Sequence, residues 1–377
     1  MRFTFTPEQN NFRQELRDFL SEELSGERNL EGFDQGFSKK LSRKGWIGLA
    51  WPKEYGGQGL GSIEQMIYTE EMILHEAPRG FHFTAERQVG PSLINHGTEE
   101  QKREWLKAIM DAEVSFALGL SEPEAGSDLA SVKTRAVRDG DEYVVNGQKI
   151  WTSGAHRSDH IWLVVRTDPD APKHRGISCL MADLKVPGVT VRPLYDMTDG
   201  HHFNEVFFED VRVPVNRRVG EENMGWYILA EHLDFERSGI ERLVDLERLF
   251  RRVMDEARER AKAGQLDPAV RQRLAELYIE VEVGRLMCYR VAWLQSVGRV
   301  PNYEASMSKV YGTEWSQRMT QAAMNLLGLE GAAQKPGTLG DSVQHAYRNA
   351  VSRTIAGGTS EIQRNIVATR GLGLPRA

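Results

Sequence analysis

The chain has 377 residues, of which 40% are hydrophobic and 27% charged, and a formal net charge of −6. These values describe a globular protein of two or three domains, or one large multilayer unit, and argue against a disordered chain. The acidic balance argues against a dedicated nucleic-acid binder, which needs a concentrated basic face. No stretch approaches the roughly 20 apolar residues of a membrane span, and Met1–Glu8 holds no apolar run of signal-peptide length, so a soluble, unexported, cytoplasmic protein is expected. Cys179 and Cys288 are the only cysteines. Without His or Cys at metal spacing, they read as small core residues, and no metal site is expected.

In chain order, residues 6–110 read as helical. Thr6 as N-cap, Pro7 at the first helical position and Gln9 at N3 form a capping box, and Thr98 with Gln101 repeats the device. Between them lies Trp51-Pro52-Lys53-Glu54-Tyr55-Gly56-Gly57-Gln58-Gly59-Leu60-Gly61, an irregular loop. It lacks the preceding buried strand of a dinucleotide-binding turn. From about 120 to 222 the period changes to two. Asp139-Gly140 and Asn146-Gly147 predict hairpin turns, and strands are expected at Glu142–Val145, His160–Thr167, Gly176–Leu184, Val189–Leu194 and Phe203–Phe208. Short turns make these strands antiparallel.

Beyond 223 the pattern returns to helix. One long helix is predicted from Met224 to Ala263, stopping at Gly264; Asp267 and Pro268 start the next, closed by Gly298. Asn302 is expected to cap a third, ending near Gly328, and Thr359 a last one ending before Gly371. Long helices with short connections predict a bundle. Within the first long helix, Leu229, Leu233, Glu236, Ile240 and Leu243 follow at spacings of four and three, which places a carboxylate on an aliphatic stripe. A buried carboxylate has a raised pKa and becomes a competent base near neutrality. A solvent-facing edge position is the other reading of Glu236.

Three segments stand out: Ser121-Glu122-Pro123-Glu124-Ala125-Gly126-Ser127-Asp128, Trp151-Thr152-Ser153, and Gly357-Gly358-Thr359-Ser360-Glu361-Ile362-Gln363-Arg364. In the first, Ser121 and Ser127 offer hydroxyls and Gly126 allows close backbone approach to a ligand. Taken alone it reads equally as a turn capped by Asp128. Trp151 taken alone reads as a core residue as well as a cofactor wall. The His201-His202 pair has no third ligand at a helical interval and reads as a solvated loop.

In this order and at these separations, the three segments resemble the flavin-binding and terminal motifs of the acyl-CoA dehydrogenase family, over essentially the whole chain. The resemblance implies an N-terminal α-helical domain (1–117), a central antiparallel β-domain (118–222) and a C-terminal four-helix-bundle domain (223–377). It implies FAD in a cleft between the β-domain and the C-terminal helices, completed in part by a neighbouring subunit. Residue by residue, FAD contacts fall on Leu118, Leu120, Ser121, Gly126, Ser127, Trp151, Thr152, Ser153, Arg260, Gly328, Thr359 and Glu361. Substrate contacts fall on Ser127, Asp234, Arg237 and Gly358. For Asp234 and Arg237 an exposed helix face is the alternative.

Two places depart from the family pattern: Arg260 is followed by Ala261-Lys262-Ala263-Gly264 without the usual aromatic, and Asn325-Leu326-Leu327-Gly328-Leu329 keeps part of a Gln and Gly-Gly pattern. A third departure concerns the base. Gly357 stands where the commonest arrangement has the catalytic Glu, while Leu233-Asp234-Phe235-Glu236-Arg237 resembles the segment that carries the base in isovaleryl and long-chain members. Glu236 is therefore assigned as general base. The resemblance implies α,β-dehydrogenation of an acyl-CoA in lipid metabolism, with electrons passed to an electron-transfer flavoprotein by a homotetramer or a heterotetramer with a related subunit. The rival readings are a flavin oxidase or monooxygenase on the same fold, and an FAD-supporting subunit of a heteromeric enzyme. A side chain missing at Gly357 further predicts room for branched or ringed acyl groups, unless Ile355 or Tyr347 fills the space.

Overall fold

The computed structural model describes residues 4–25, 32–235 and 239–375, and for 231–235 the backbone alone. Helix α1 (Pro7–Glu23) begins where the sequence predicts: the Thr6 side chain accepts from Gln9 N, and the Gln9 side chain answers to the Thr6 backbone. Helices α2 (Gln35–Arg43), α3 (Ser62–Leu74), α4 (Gly90–His96), α5 (Glu99–Gln101) and α6 (Lys107–Met110) follow, and Thr98 with Gln101 forms the second capping box. The loop after Trp51 contains a short 3-10 turn and no strand.

Strands β1 (Phe116–Gly119), β2 (Arg135–Asp139), β3 (Glu142–Lys149), β4 (His160–Arg166), β5 (Ile177–Asp183), β6 (Val189–Leu194), β7 (Phe203–Pro214) and β8 (Arg218–Val219) form one sheet in the order β6-β7-β3-β2-β4-β5-β8, with β1 beside β4. Most pairings are antiparallel; β1 and β2 meet β4 in parallel. Asp139-Gly140 makes the predicted β2–β3 hairpin. Asn146-Gly147 does not make a turn: it lies inside β3, opposite a bulge in β7. The Asn146 side chain satisfies both the Asp210 amide and the Asp210 carboxylate, each at 2.9 Å, and Asp210 takes a φ of 51°. Asn is favoured there because its short amide completes the backbone bonds that a bulge leaves open.

The predicted helix from Met224 to Ala263 is three helices: α7 (Gly225–Phe235), α8 (Ile240–Val244) and α9 (Glu247–Lys262). Gly239, with φ 68°, precedes α8 in the left-handed region, which no continuing helix tolerates. The aliphatic stripe through Glu236 is thus not one helix face. Helices α10 (Pro268–Ser296), α11 (Tyr303–Leu327), α12 (Leu329–Ala332), α13 (Leu339–Arg353) and α14 (Ser360–Ile366) complete the chain. Asp267 caps α10 and Thr359 caps α14 as predicted, whereas Asn302 makes no side-chain cap on α11.

The chain forms two units: Met1–Gly26 with Ser62–Ala77 and Arg237–Ala377, and Glu27–Gly61 with Pro78–Glu236. The first is helical. Its core joins Leu243, Phe250, Val253, Leu277, Trp315, Met319 and Val343. Buried Glu70 and Glu71 of α3 pair with Arg13 of α1, and Arg285 of α10 binds Glu70 and Glu247. The second unit holds the sheet, one of whose faces buries Tyr143, Val145, Ile161, Leu163, Leu180, Val206, Phe208, Val211 and Val213. Helix α7 packs on β5. Among the described residues, no helix is long and apolar enough to cross a membrane.

Candidate active site

In the sheet unit, the segment after β1 is tied down from several sides. Glu122 and Ala125 exchange backbone hydrogen bonds at 3.0 Å, so Pro123 and Glu124 form the tip of a tight turn. Gly126 and Ser127 follow, both exposed, and a Cβ on Gly126 would meet nothing within 4 Å. Leu118, Leu120 and Ser121 are half-buried, and the Ser121 carbonyl accepts from Ile150 N at 3.0 Å. Asp128 accepts from Ser131 Oγ and Lys173 Nζ, which leaves the turn reading of this residue satisfied by side chains.

Underneath lies Lys149, the last residue of β3 and in phase with Tyr143 and Val145 on the buried face. Its ammonium, 0% exposed, donates to the Leu120 carbonyl at 3.0 Å and to Glu122 Oε1 at 2.8 Å. The Glu122 carboxylate also accepts from Lys133 N at 2.6 Å and Thr134 N at 2.9 Å. Burial works to raise the Glu122 pKa, but the Lys149 charge and these hydrogen bonds outweigh it and hold the group below the usual carboxylate range. Burial pulls Lys149 down to about 8 against the opposing pull of Glu122.

Two residues beyond Lys149 the backbone turns sharply. Trp151 has φ 60° and is 55% exposed, its indole set edge-on against Phe203. Such a conformation costs a non-glycine residue about 1–2 kcal/mol, and an exposed indole held this way is available to a ligand rather than to the core. Thr152 is fully buried, and its amide and carbonyl are both bonded to Asn204, by the backbone carbonyl at 3.0 Å and by Nδ2 at 2.9 Å. The Thr152 hydroxyl has no hydrogen-bond partner among the described residues. Ser153 is exposed. His201 stacks on His156 at 3.9 Å and bonds Asn204 Oδ1 at 2.8 Å, so it supports Thr152 from behind and is not the solvated loop residue expected.

In the helical unit, Gly357 and Gly358 turn the chain into α14 with φ 63° and 83°. Gln363 Nε2 donates to the Gly357 carbonyl at 2.9 Å, Thr359 Oγ1 accepts from Ile362 N at 3.2 Å, and Glu361 is exposed in the first turn. Lys309 of α11, itself 3% exposed, donates to the Gly358 carbonyl at 2.7 Å. Burial and the nearby Arg242 draw it down to about 8, against Glu314 and Glu361. Arg242 Nη2 stands 2.9 Å from the position a Cβ on Gly357 would take. The space expected to be open at Gly357 is thus held by a guanidinium, while Ile355 and Tyr347 are exposed.

Arg260 and Gly328 come together at the end of α11. Arg260 Nη1 donates to the Leu326 carbonyl at 2.6 Å and Nε to Glu256 at 2.7 Å, and Gly328 ends the helix at φ 59°. Asp234 belongs to α7, whose backbone alone is described there; Glu236 and Arg237 lie outside the described residues. Sequence reasoning passed over Glu122, Lys149, Asn204, Arg242 and Lys309. Only Lys149 left a signal, as a charge in phase with the apolar side of its strand.

This chain belongs to the acyl-CoA dehydrogenase family: the family's N-terminal domain matches residues 6–113, its middle domain 117–211 and its C-terminal domain 223–372. It is similar to acyl-CoA dehydrogenase FadE26 of Mycobacterium tuberculosis, with 38% identity over 402 aligned residues that cover all of both chains. FadE29 of the same organism is 38% identical over 98% of each chain. Among solved structures, the Tcur3481-Tcur3483 steroid ACAD superposes with a TM-score of 0.89 at 36% identity, over all of both chains. The ChsE4-ChsE5 complex from Mycobacterium tuberculosis gives 0.86 at 38%, again over all of both chains. The protein is an enzyme of this class, and members of the family are FAD-binding flavoproteins. The residues fit that group: a buried hydroxyl without a partner at Thr152, a displayed indole at Trp151 and open space over Gly126 are what a bound ring system and its polar edge require.

Proposed function

We propose that the chain is a catalytic subunit that dehydrogenates the Cα–Cβ bond of an acyl-CoA thioester, with Glu236 as general base. The observation that supports it best is the Thr152 hydroxyl, buried and unsatisfied beside a strained, exposed Trp151. Bound FAD supplies the acceptor for the hydride that leaves Cβ as the α-proton departs. The residues assigned to hold it are Leu118, Leu120, Ser121, Gly126, Ser127, Trp151, Thr152, Ser153, Arg260, Gly328, Thr359 and Glu361. Ser127, Asp234, Arg237 and Gly358 receive the acyl-CoA. The Glu236 carboxylate takes the α-proton, a task for which Gly357 has no side chain. The two electrons then pass to an electron-transfer flavoprotein. The three-domain division at 117/118 and 222/223 belongs to the same proposal.

The decisive variant is Glu236→Gln, nearly isosteric and without a basic oxygen pair. It keeps the fold and the yellow colour and loses about 10²–10⁴-fold in turnover, measured anaerobically by flavin bleaching. Retention of most of the rate would assign the base elsewhere. For the acyl group we propose a branched or ringed chain, on the similarity to a protein described as a steroid ACAD. The expected result is a higher kcat/KM for a cyclic or steroid-side-chain thioester than for a linear one of equal carbon number. A preference of about tenfold, or about 1.4 kcal/mol, for the linear substrate would reverse the assignment. Similarity to structures described as a complex of two chains supports a heteromeric assembly with a related subunit.

A further inference from the structure

Two of the segments assigned to FAD, 118–128 and 151–153, are not adjacent in sequence, and something must set their separation. Three bonds cross between them. Ile150 N reaches the Ser121 carbonyl, and Lys149 Nζ reaches both the Leu120 carbonyl and Glu122. The ammonium is the only one of these donors that is charged, and it lies one residue before Ile150 and two before Trp151. Glu122 in turn holds the backbone amides of Lys133 and Thr134, so the far end of the same loop is fixed to the same point. Gly147, close by on β3, leaves no room for a side chain against Thr134: a Cβ there would sit 2.7 Å from the Thr134 Cα.

We propose that Lys149 and Glu122 are positioning residues for the cofactor, a buried ion pair that fixes the spacing between Leu120-Ser121 and Trp151-Thr152 without touching the ligand. The inference rests on the assignment of those two segments to FAD. An apolar pair of similar volume would fill the same space and restore packing, but it could not hold the Leu120 carbonyl or the Lys133 and Thr134 amides. Buried ion pairs often contribute little net stability compared with apolar replacements, so fold and position are separable here.

The test measures the FAD dissociation constant of the apoprotein by flavin fluorescence, alongside the thermal midpoint. Lys149→Met is expected to weaken FAD binding at least tenfold and to lower the midpoint. The double variant Lys149→Met with Glu122→Leu is expected to recover the part of the midpoint lost to the unpaired charge, the stranded backbone groups keeping it below wild type, while its FAD affinity stays at least tenfold weaker than wild type. If affinity returns together with the midpoint, or if either variant binds FAD within twofold of wild type, the pair is structural and the proposal falls. Should Lys149→Met fail to fold, the double variant decides alone. Trp151→Ala separates this idea from the site assignment: weakening by Trp151→Ala with none from the lysine variants sinks the positioning role and spares the site, while no weakening from any of them sinks both.

Discussion

Lys149 in the sheet unit and Lys309 in the helical unit are both withdrawn from water and both clamp the carbonyl of a turn that belongs to a family motif. Their partners differ. Lys149 adds a buried carboxylate, Glu122, which is itself held by two amides. Lys309 adds no carboxylate hydrogen bond among those the structure gives it, and it feels the like charge of Arg242. The loop behind β1 leaves the Lys133 and Thr134 amides to be satisfied, which a carboxylate does and an ammonium cannot; at α14 the Ser360 and Ile362 amides are met by the Thr354 carbonyl and Thr359 Oγ1, and Lys309 meets the Gly358 carbonyl that precedes the helix. The same residue type therefore serves as half of an ion pair in one unit and as a solitary donor in the other.

That contrast predicts unequal losses. Lys149→Met leaves Glu122 buried and unpaired, so it is expected to cost about 3–5 kcal/mol of unfolding free energy, read from denaturant midpoints. A loss below about 1 kcal/mol would put the two lysines on the same footing. Lys309→Met strands a carbonyl instead of a carboxylate and relieves the repulsion from Arg242, so about 1–3 kcal/mol is expected. Its functional effect should fall mainly on kcat/KM, through the Gly358 turn, with a smaller loss of FAD affinity than Lys149→Met because Thr359 follows that turn. An equal loss of FAD affinity would break the division of labour.

The smallest effect is in pH dependence. Lys309 is drawn down to about 8 in the folded chain from an ordinary 10.5, so between those values the unfolded chain holds a proton that the folded chain has released. Stability then rises with pH. Wild type should gain about 1 kcal/mol on Lys309→Met between pH 8 and 9, with the difference flat below about pH 7. Arg242, Glu314 and Glu361 are the charged groups that set this value. A gap that narrows with rising pH would mean that the ammonium is stabilised where it lies.

Much of this architecture was legible because its causes are local. The capping boxes at Thr6 and Thr98, the caps at Asp267 and Thr359, and strand β6 from Val189 to Leu194 depend on neighbours three or four positions away or on simple alternation. The failures have long-range causes. Asn146-Gly147 carries the signature of a turn, but Asn146 spends its amide on Asp210, 64 positions away. The hydrophobic period runs through Gly239 unbroken and outweighs the one local sign, the glycine itself, that α7 and α8 are separate helices. In the candidate site the three motifs were legible by resemblance. Their supports were not, because Lys149 meets Glu122 across 27 positions and Lys309 meets Gly358 across 49.

The bulge opposite Asn146 has a further consequence for how this strand tolerates change in length. In β7 the residues that enter the core are Val206 and Phe208 before the bulge and Val211 and Val213 after it, so their numbering switches from even to odd at Glu209-Asp210. One extra residue does the switching. Loss of a single residue between 208 and 211 would remove the bulge and leave Val206, Phe208 and the two valines in strict alternation on the core face, whereas loss of two would turn one half of the strand inside out, presenting two valines, or a valine and a phenylalanine, to water. The strand is therefore sensitive to whether a length change is odd or even, whereas an exposed loop such as that at Asp168–Arg175 is sensitive mainly to how long it is.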